Sequence, residues 1–307
     1  MGQYIVRRLL LMIPTLLGVY TLLFILLWAL PGSPASVLAG AYTTREDIAR
    51  IQEQLQLDDP LVVQWARYLY NVGRGDFGAS FVTGQPVTRD LMAALPATLE
   101  LTIAAMVIAI LVGVPAGVIS AVRRNSIFDQ LSRLVAVMGM SIPSFWLGII
   151  LILIFAFYLD LFPVSGRGTW RHLVLPAVSL GVISSASLAR MTRSAMLDVI
   201  SEFYITTARA KGLSEFRVVV RHMLRNALIP AVTVAGYQFG VLLTAGIVVE
   251  TVFAWPGVGR LLVRSILARD FPMVQATVLI IATLFILINL LVDVIIAYLD
   301  PRIRHSM

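Results

Sequence analysis

LLLMIPTLLGVYTLLFILLWAL, residues 9–30, is an apolar run without one charged side chain, and it decides the class of fold. A bilayer core takes roughly 20 residues of helix at about 1.5 Å each, so this run is long enough to cross. It is too long for the core of a signal peptide and starts only after Arg7 and Arg8, so it reads as an uncleaved first span. Outward from it lie further apolar runs at 101–122, 134–159 and 231–249, a shorter serine-rich one at 173–189, and a last one at 273–299 that Asp293 interrupts. The expectation is an all-α integral membrane protein with six transmembrane helices.

Composition points the same way. The chain of 307 residues is 59% hydrophobic and only 13% charged, with a mean hydropathy of +0.88, too little polar surface to cover a water-soluble globule of this size. It has no cysteine, which excludes disulfides, thiolate metal sites and cysteine nucleophiles.

Six spans put both termini on one side, and the basic residues choose it. With the termini inside, the cytoplasmic segments hold Arg7, Arg8, Arg123, Arg124 and Arg133. To these they add the seven basic residues between Arg190 and Arg225, and Arg302 and Arg304. The acids on that face are Asp129, Asp198, Glu202, Glu215 and Asp300, so the inner face is strongly positive while the outer one is near neutral. The net charge of +7 is therefore topology, and no nucleic-acid partner is called for.

Two interruptions are longer than a connection needs. Residues 31–96 form an external insertion with helix-like polar stretches: Thr44 can cap a short helix ending near Leu57, Asp59-Pro60 marks a turn, and Val63, Ala66, Leu69 and Tyr70 then share a face. It reads as a small external helical subdomain packed on the spans, either a docking surface or an insertion with no task beyond packing. Residues 190–230 form a cytoplasmic loop. There a helix over 198–211 stops at Gly212, Ser214 can cap a second helix, and Pro230 closes that helix. Arg217, Arg221 and Arg225 recur at i, i+4 and i+8 as one basic stripe, facing lipid phosphates or a partner. A helix–glycine–helix elbow leading into the fifth span is well placed to pass a push to that span.

The stretch YITTARAKGLSEFRVVVRHMLRNALIP, residues 204–230, resembles the cytoplasmic signature loop of permease subunits of binding-protein-dependent ABC importers. The form is that of the dipeptide, oligopeptide, nickel and glutathione group. The general pattern of Glu-Ala-Ala, three residues and Gly falls on Thr206, Thr207, Ala208 and Gly212. The glutamate and first alanine are absent, and the distance to Pro230 is longer, both as in the peptide group. The resemblance covers the whole chain, through MGQYIVRRLLLMIPTLLGV, LPGSPA, LDDPLVVQWARYLYNVGRGDFGASF, SIPSFWLG, IVVETVFAWPGVGRLL and LLVDVIIAYLDPRIR in order.

The resemblance implies half of a translocation pathway in the bacterial cytoplasmic (inner) membrane. A second homologous permease would supply the other half, two cytoplasmic ATPase subunits the energy, and an extracytoplasmic binding protein the substrate. Di- or oligopeptides are the expected cargo, with nickel or glutathione as alternatives. No G-x-x-x-x-G-K-[ST] loop occurs, so this chain is expected to be no enzyme and to bind no cofactor, with ATP and magnesium on the partners. The expected coupling residues are Thr206, Thr207, Ala208, Arg209, Lys211, Gly212, Ser214, Phe216 and Arg221. Of these, Ala208 and Gly212 are small enough for a partner to come close. Arg209 and Lys211 serve either partner acids or the positive-inside bias.

Within the spans, Ser141, Ser144, Ser184, Ser187, Tyr237, Gln238, Asn289 and Asp293 are candidates for a polar pathway. For Asp293 a structural hydrogen bond to a neighbouring span is the competing reading, and for the serines helix contact, the role expected of Gly113 and Gly117. Pro115 and Pro143 each remove a backbone donor and should bend or loosen their spans. Asp76, Glu250, Trp255 and Arg260 are expected at the outer face, where by family analogy the binding protein docks; a short amphipathic helix carrying Arg260 and Arg264 lies there too.

Two other classes compete. An intramembrane hydrolase lacks parts: His172, His222 and His305 all lie outside mid-span positions, no His-Glu-x-x-His occurs, and Asp293 has no second intramembrane aspartate, so no metal site is expected either. An ATP-independent channel or secondary carrier would have no reason to keep the cytoplasmic elbow.

Overall fold

A residue before proline is pushed out of the helical region, because the ring collides with its backbone and Cβ. In Ser141-Ile142-Pro143-Ser144 this happens inside an apolar run: Ile142 is extended at φ −90°, ψ 123°, and the chain bends by 100° between the helices on either side. The stretch expected to cross as one span over 134–159 is thus a broken pair. Each half is too short to cross alone, so among the described residues five helices are long and apolar enough to cross, or six if the bent pair counts as one.

The computed structural model describes residues 2–29, 52–53 and 56–299, and side chains from Ile5 to Ile296 within them. The expected cap at Thr44, most of the helix after it, and the basic tail with His305 lie outside the described residues. Among the described residues the chain is helical without a β-strand; one bridge, Ala79 to Pro86, closes a turn. The helices are α1 (Gly2–Ala29), α2 (Leu61–Gly73), α3 (Val87–Val122), α4 (Ile127–Ser141) and α5 (Ser144–Leu151), the last continuing as a π-helical turn over Ile152–Tyr158. Then come α6 (Trp170–Ile200), α7 (Phe203–Ala210), α8 (Arg225–Val252), α9 (Val258–Leu267) and α10 (Phe271–Leu299). Helix α8 is entered through Glu215–Arg217 and a π-helical turn, Val218–Leu224, which makes one continuous rod from Glu215 to Val252.

Three boundaries differ from the sequence reading. Helix α3 begins at Val87 and passes through Pro96 and Pro115, because prolines within a strongly apolar helix are tolerated where neighbours make good the lost bond. Helix α6 runs beyond residue 189 to Ile200, so the break before the elbow starts at Ser201. Pro230 does not close the elbow's second helix: it lies inside α8.

The described chain divides into two units. One comprises Gly2–Ala97 and Pro256–Ile286. Its core joins Val87, Leu91 and Ala94 of α3 to Val258 of α9 and to Met273 and Ala276 of α10. Helix α2 is pinned to α1 by Trp65, whose Nε1 donates to Thr21 Oγ1 at 3.1 Å, and by a stacked Tyr20–Tyr68 pair with centroids 4.9 Å apart. The face of Val63, Ala66 and Tyr70 stays exposed, because the larger aromatic pair at i and i+3 takes the inward side. Buried Asp270 ties the turn between α2 and α3 down: it accepts from Ser80 Oγ, from the Phe81 amide at 3.0 Å, and from the Met273 amide at the start of α10.

The other unit comprises Thr98–Trp255 and the chain from Leu287. Its centre is α6, packed by α4, α5 and α8. Helix α3 approaches α6 without side chains between them: a Cβ at Gly113 would lie 2.6 Å from the Ser185 carbonyl oxygen, and one at Gly117 2.5 Å from that of Ala189. From the α6 side, a Cβ at Gly181 would lie 2.7 Å from the Ala105 carbonyl oxygen. Small residues give such backbone approach in a medium that supplies no hydrophobic drive between helices.

Candidate functional site

Two features in this second unit bring several of the candidate polar residues together. The first is the elbow. Helix α7 ends in a left-handed turn at Gly212, φ +75°, where the Leu213 amide returns to the Ala208 carbonyl and the Gly212 amide to that of Arg209, satisfying the last orphan acceptors. Arg209 closes the corner by an ion pair to Glu215, 2.6 Å across the turn. Beneath it, Ile205 and Ala208 pack with Val218, Val219, Met223 and Ala227 against Ala195 and Met196 of α6 and Ala121 of α3. The elbow therefore has an apolar underside seated on the ends of two long helices.

Its outer surface carries Thr206, Thr207, Lys211, Gly212, Ser214 and Arg221, all exposed, and the basic stripe of Arg217, Arg221 and Arg225. Ser214 begins the second helix, yet its side chain makes no capping bond. Ala208 faces inward, so its small size serves the elbow's own packing and not direct partner contact. At Gly212 an added Cβ would meet nothing within 4 Å, so glycine is there for its backbone angle and not for room. Two phenylalanines stand out into solvent instead, Phe216 at 78% and Phe203 at 90% exposure. The sequence reading included Phe216 and missed Phe203. An aromatic residue opening a polar helix was the available signal.

The second feature is a cavity of about 200 Å³ lined by Ser144, Ser184, Ser187 and Gln238 amid Leu180, Leu242 and other apolar side chains. It follows from the break at Pro143, which starts α5 at Ser144 beside α6 and α8. Four of the eight pathway candidates thus meet. Ser141 instead points outward and donates to the Val137 carbonyl at 3.0 Å. Tyr237 is 63% exposed because it sits 100° around α8 from Gln238. Asn289 and Asp293 do not line the cavity, and neither is free of partners.

At the expected outer face, Glu250 and Trp255 are buried, so neither forms a docking surface. Glu250 accepts from Thr98 Oγ1 at 2.6 Å, and Trp255 lies under the Arg167 guanidinium. A buried carboxylate needs such a partner, and an indole this large is worth most inside. Asp76 remains exposed, where it caps the Gly78 amide at 2.8 Å, and Arg260 is half-buried on α9. Helix α9 is amphipathic as expected, with Val258, Leu262 and Ser265 inward.

One charged cluster was not anticipated. Asp129, fully buried at the start of α4, accepts from Ser120 Oγ of α3 at 2.6 Å and from Nε and Nη2 of Arg193 of α6 at 2.7 and 2.9 Å. The sequence had counted both residues only as inner-face charges, since nothing in it paired positions 64 apart. Among the described residues no group of three metal-ligating side chains occurs.

Comparison with known proteins gives consistent results. Residues 113–305 match the family "Binding-protein-dependent transport system inner membrane component", and residues 1–102 match "Binding-prot-dependent transport system membrane comp, N-term". The chain is 48% identical over 306 residues to the glutathione transport system permease protein GsiC of Escherichia coli (strain K12), with 100% of each chain covered. The protein of that name from Salmonella typhimurium (strain LT2) gives the same figures. Among solved structures, an inward-facing conformation of the MetNI methionine ABC transporter aligns with a TM-score of 0.59 at 23% identity, over 69% of this chain and 96% of that one. An amino acid ABC transporter with histidines aligns at 0.52 and 17%, over 70% and 94%. At such identities these structures bear on the fold.

Proposed function

Because the chain belongs to the binding-protein-dependent transport system inner membrane components and is a permease subunit of an ABC importer, we propose that its cargo is short peptides, with glutathione, itself a tripeptide, as the first to test. The observation that carries the mechanism is one rod, Glu215–Val252, that begins at the elbow and carries Gln238 to the serine-bearing cavity. A displacement of the elbow therefore reaches a cavity wall along one helix, with no loop between them. The hydroxyls of Ser144, Ser184 and Ser187 and the Gln238 amide offer donors and acceptors for peptide groups. Being uncharged, they hold no ion tightly enough to trap it.

In this reading both termini and the elbow face the cytoplasm. Phe203 and Phe216 enter a pocket on an ATPase subunit, ringed by Thr206, Thr207, Lys211 and Arg221; exposed aromatics on a polar protrusion are the usual anchors of an interface. ATP and magnesium belong to the two ATPase partners, a homologous permease completes the pathway, and the outer surface around Asp76 and Arg260 receives the binding protein. Vesicles containing this chain, the second permease and both ATPases, supplied with binding protein, are expected to accumulate radiolabelled glutathione or dipeptide only with ATP. The chain alone should neither transport nor hydrolyse ATP, and uptake by it alone would overturn the proposal.

A further inference from the structure

At the elbow end of the second unit, a cleft of about 290 Å³ opens between α3, α4 and α6. Its walls divide by chemistry. Gly117, Ala136, Val137, Met140 and Ala189 form an apolar side, while Arg133, Arg190 and Arg193 with Ser120, Ser132 and Ser194 form a polar lip.

The charge on that lip is not balanced from within. Its nearest carboxylate, Asp129, is already engaged by the bidentate Arg193 pair, the Ser120 hydroxyl and the Asn125 amide. Arg133 stands off at 3.7 Å, beyond hydrogen-bonding distance, and is half exposed. Arg190 is exposed and makes no ion pair or hydrogen bond among the described residues. One cation without an ion pair, Arg190, and one only loosely paired, Arg133, thus stand beside an apolar slot.

The surface around the cleft is apolar as well: Leu131, Leu134, Val135 and Met138 of α4 are each more than half exposed, as residues facing acyl chains are. A soluble anion would use the lip and leave the slot empty. A zwitterionic lipid would bring its own cation against the arginines.

We infer that this cleft is a binding site for an anionic glycerophospholipid, whose phosphate bridges Arg133 and Arg190 while one acyl chain lies along Ala136, Val137 and Met140. The inference does not depend on which peptide is carried, although Met140 also lines the serine-bearing cavity. It would lock the bent α4 to α6 close to where α6 hands over to the elbow.

The test is native mass spectrometry of the assembled transporter, delipidated and then titrated with phosphatidylglycerol, phosphatidylcholine or inorganic phosphate. Wild type should retain phosphatidylglycerol preferentially, and Arg133→Gln with Arg190→Gln should lower that retention about tenfold or more, since each cation near the surface contributes roughly 1 kcal/mol. Val137→Trp, which keeps every charge but fills the slot, should also release the lipid. Equal retention of the two lipids would overturn the inference, as would full competition by phosphate or a double variant that binds like wild type. So would occlusion of the cleft by another subunit, seen as failure of a photoreactive lipid to label Met140.

Discussion

At the scale of single residues, the elbow separates two ways in which a small side chain can matter. Ala208 is packed beneath the corner, whereas Gly212 stands in open space at φ +75°. If glycine is needed for its backbone angle, asparagine, which tolerates that region, should substitute better than alanine, which does not. Gly212→Ala is expected to cost about 1 kcal/mol in forming the corner, roughly a fivefold shift toward misturned elbows. Gly212→Asn should recover most of the loss. The readout is ATPase activity stimulated by binding protein in the assembled transporter; equal activity of the two variants would remove the backbone angle as the reason for glycine, and a Gly212→Asn variant less active than Gly212→Ala would argue for a need for space instead. Glu250 carries a second lesson at this scale. A carboxylate at the predicted end of a span looks like a surface charge in sequence, and the Thr98 hydroxyl shows it to be an internal hydrogen-bond acceptor.

At the scale of helices, the glycine seam and the Asp129 cluster hold α3, α4 and α6 together. Gly117→Val should drive a methyl into the Ala189 carbonyl oxygen, push α3 off α6 and abolish recovery of folded protein by size-exclusion chromatography. Gly18→Ala in α1, where an added Cβ meets nothing within 4 Å, should leave recovery unchanged and serves as the control. Arg193→Met leaves the Asp129 carboxylate covered, with the Ser120 hydroxyl, the Asn125 amide and only the more distant Arg133, at 3.7 Å, to offset its charge. The arginine over it is one-fifth exposed, so the lower part of the usual range applies and the loss should be about 2–3 kcal/mol. The double variant Asp129→Leu, Arg193→Met should regain much of that in a thermal-shift measurement, because the charge and its partner leave together. A double variant no more stable than Arg193→Met would remove the pair from the account. The extra turns of α6 that carry Arg193 were hidden in the sequence because Arg190 and Arg193 read as the end of a span, when the helix in fact continues past the apolar region to Ile200.

At the scale of the whole molecule, orientation can be tested because the chain has no cysteine of its own. With the elbow inside, Ser214→Cys should react with a membrane-impermeant maleimide only after cells are lysed. Thr83→Cys, exposed in the turn between α2 and α3, should then react in cells whose outer barrier alone has been opened. Reaction of both from the same side would overturn the assigned topology. The class of fold was legible at this scale from run lengths and charge, since crossing a bilayer is a one-dimensional requirement on apolar length. The elbow was legible for a similar reason, as a glycine between two helical stretches is a local signal. The count of spans was less so. A run such as 134–159 satisfies the length test whether its helix is straight or bent by 100°, and only the proline hints at the break.

The sequence by itself determined that this is a helical membrane protein with a polar elbow before its fifth long apolar run, because those properties depend on neighbours along the chain. Tertiary structure alone decided which polar residues meet. It set Ser144, Ser184, Ser187 and Gln238 around one cavity, turned Tyr237 away, buried Glu250 and Trp255, and paired Asp129 with Arg193. Such meetings depend on how each helix is rotated against its neighbours, and that rotation is fixed by close contacts such as those at Gly113, Gly117 and Gly181, between positions far apart in the chain.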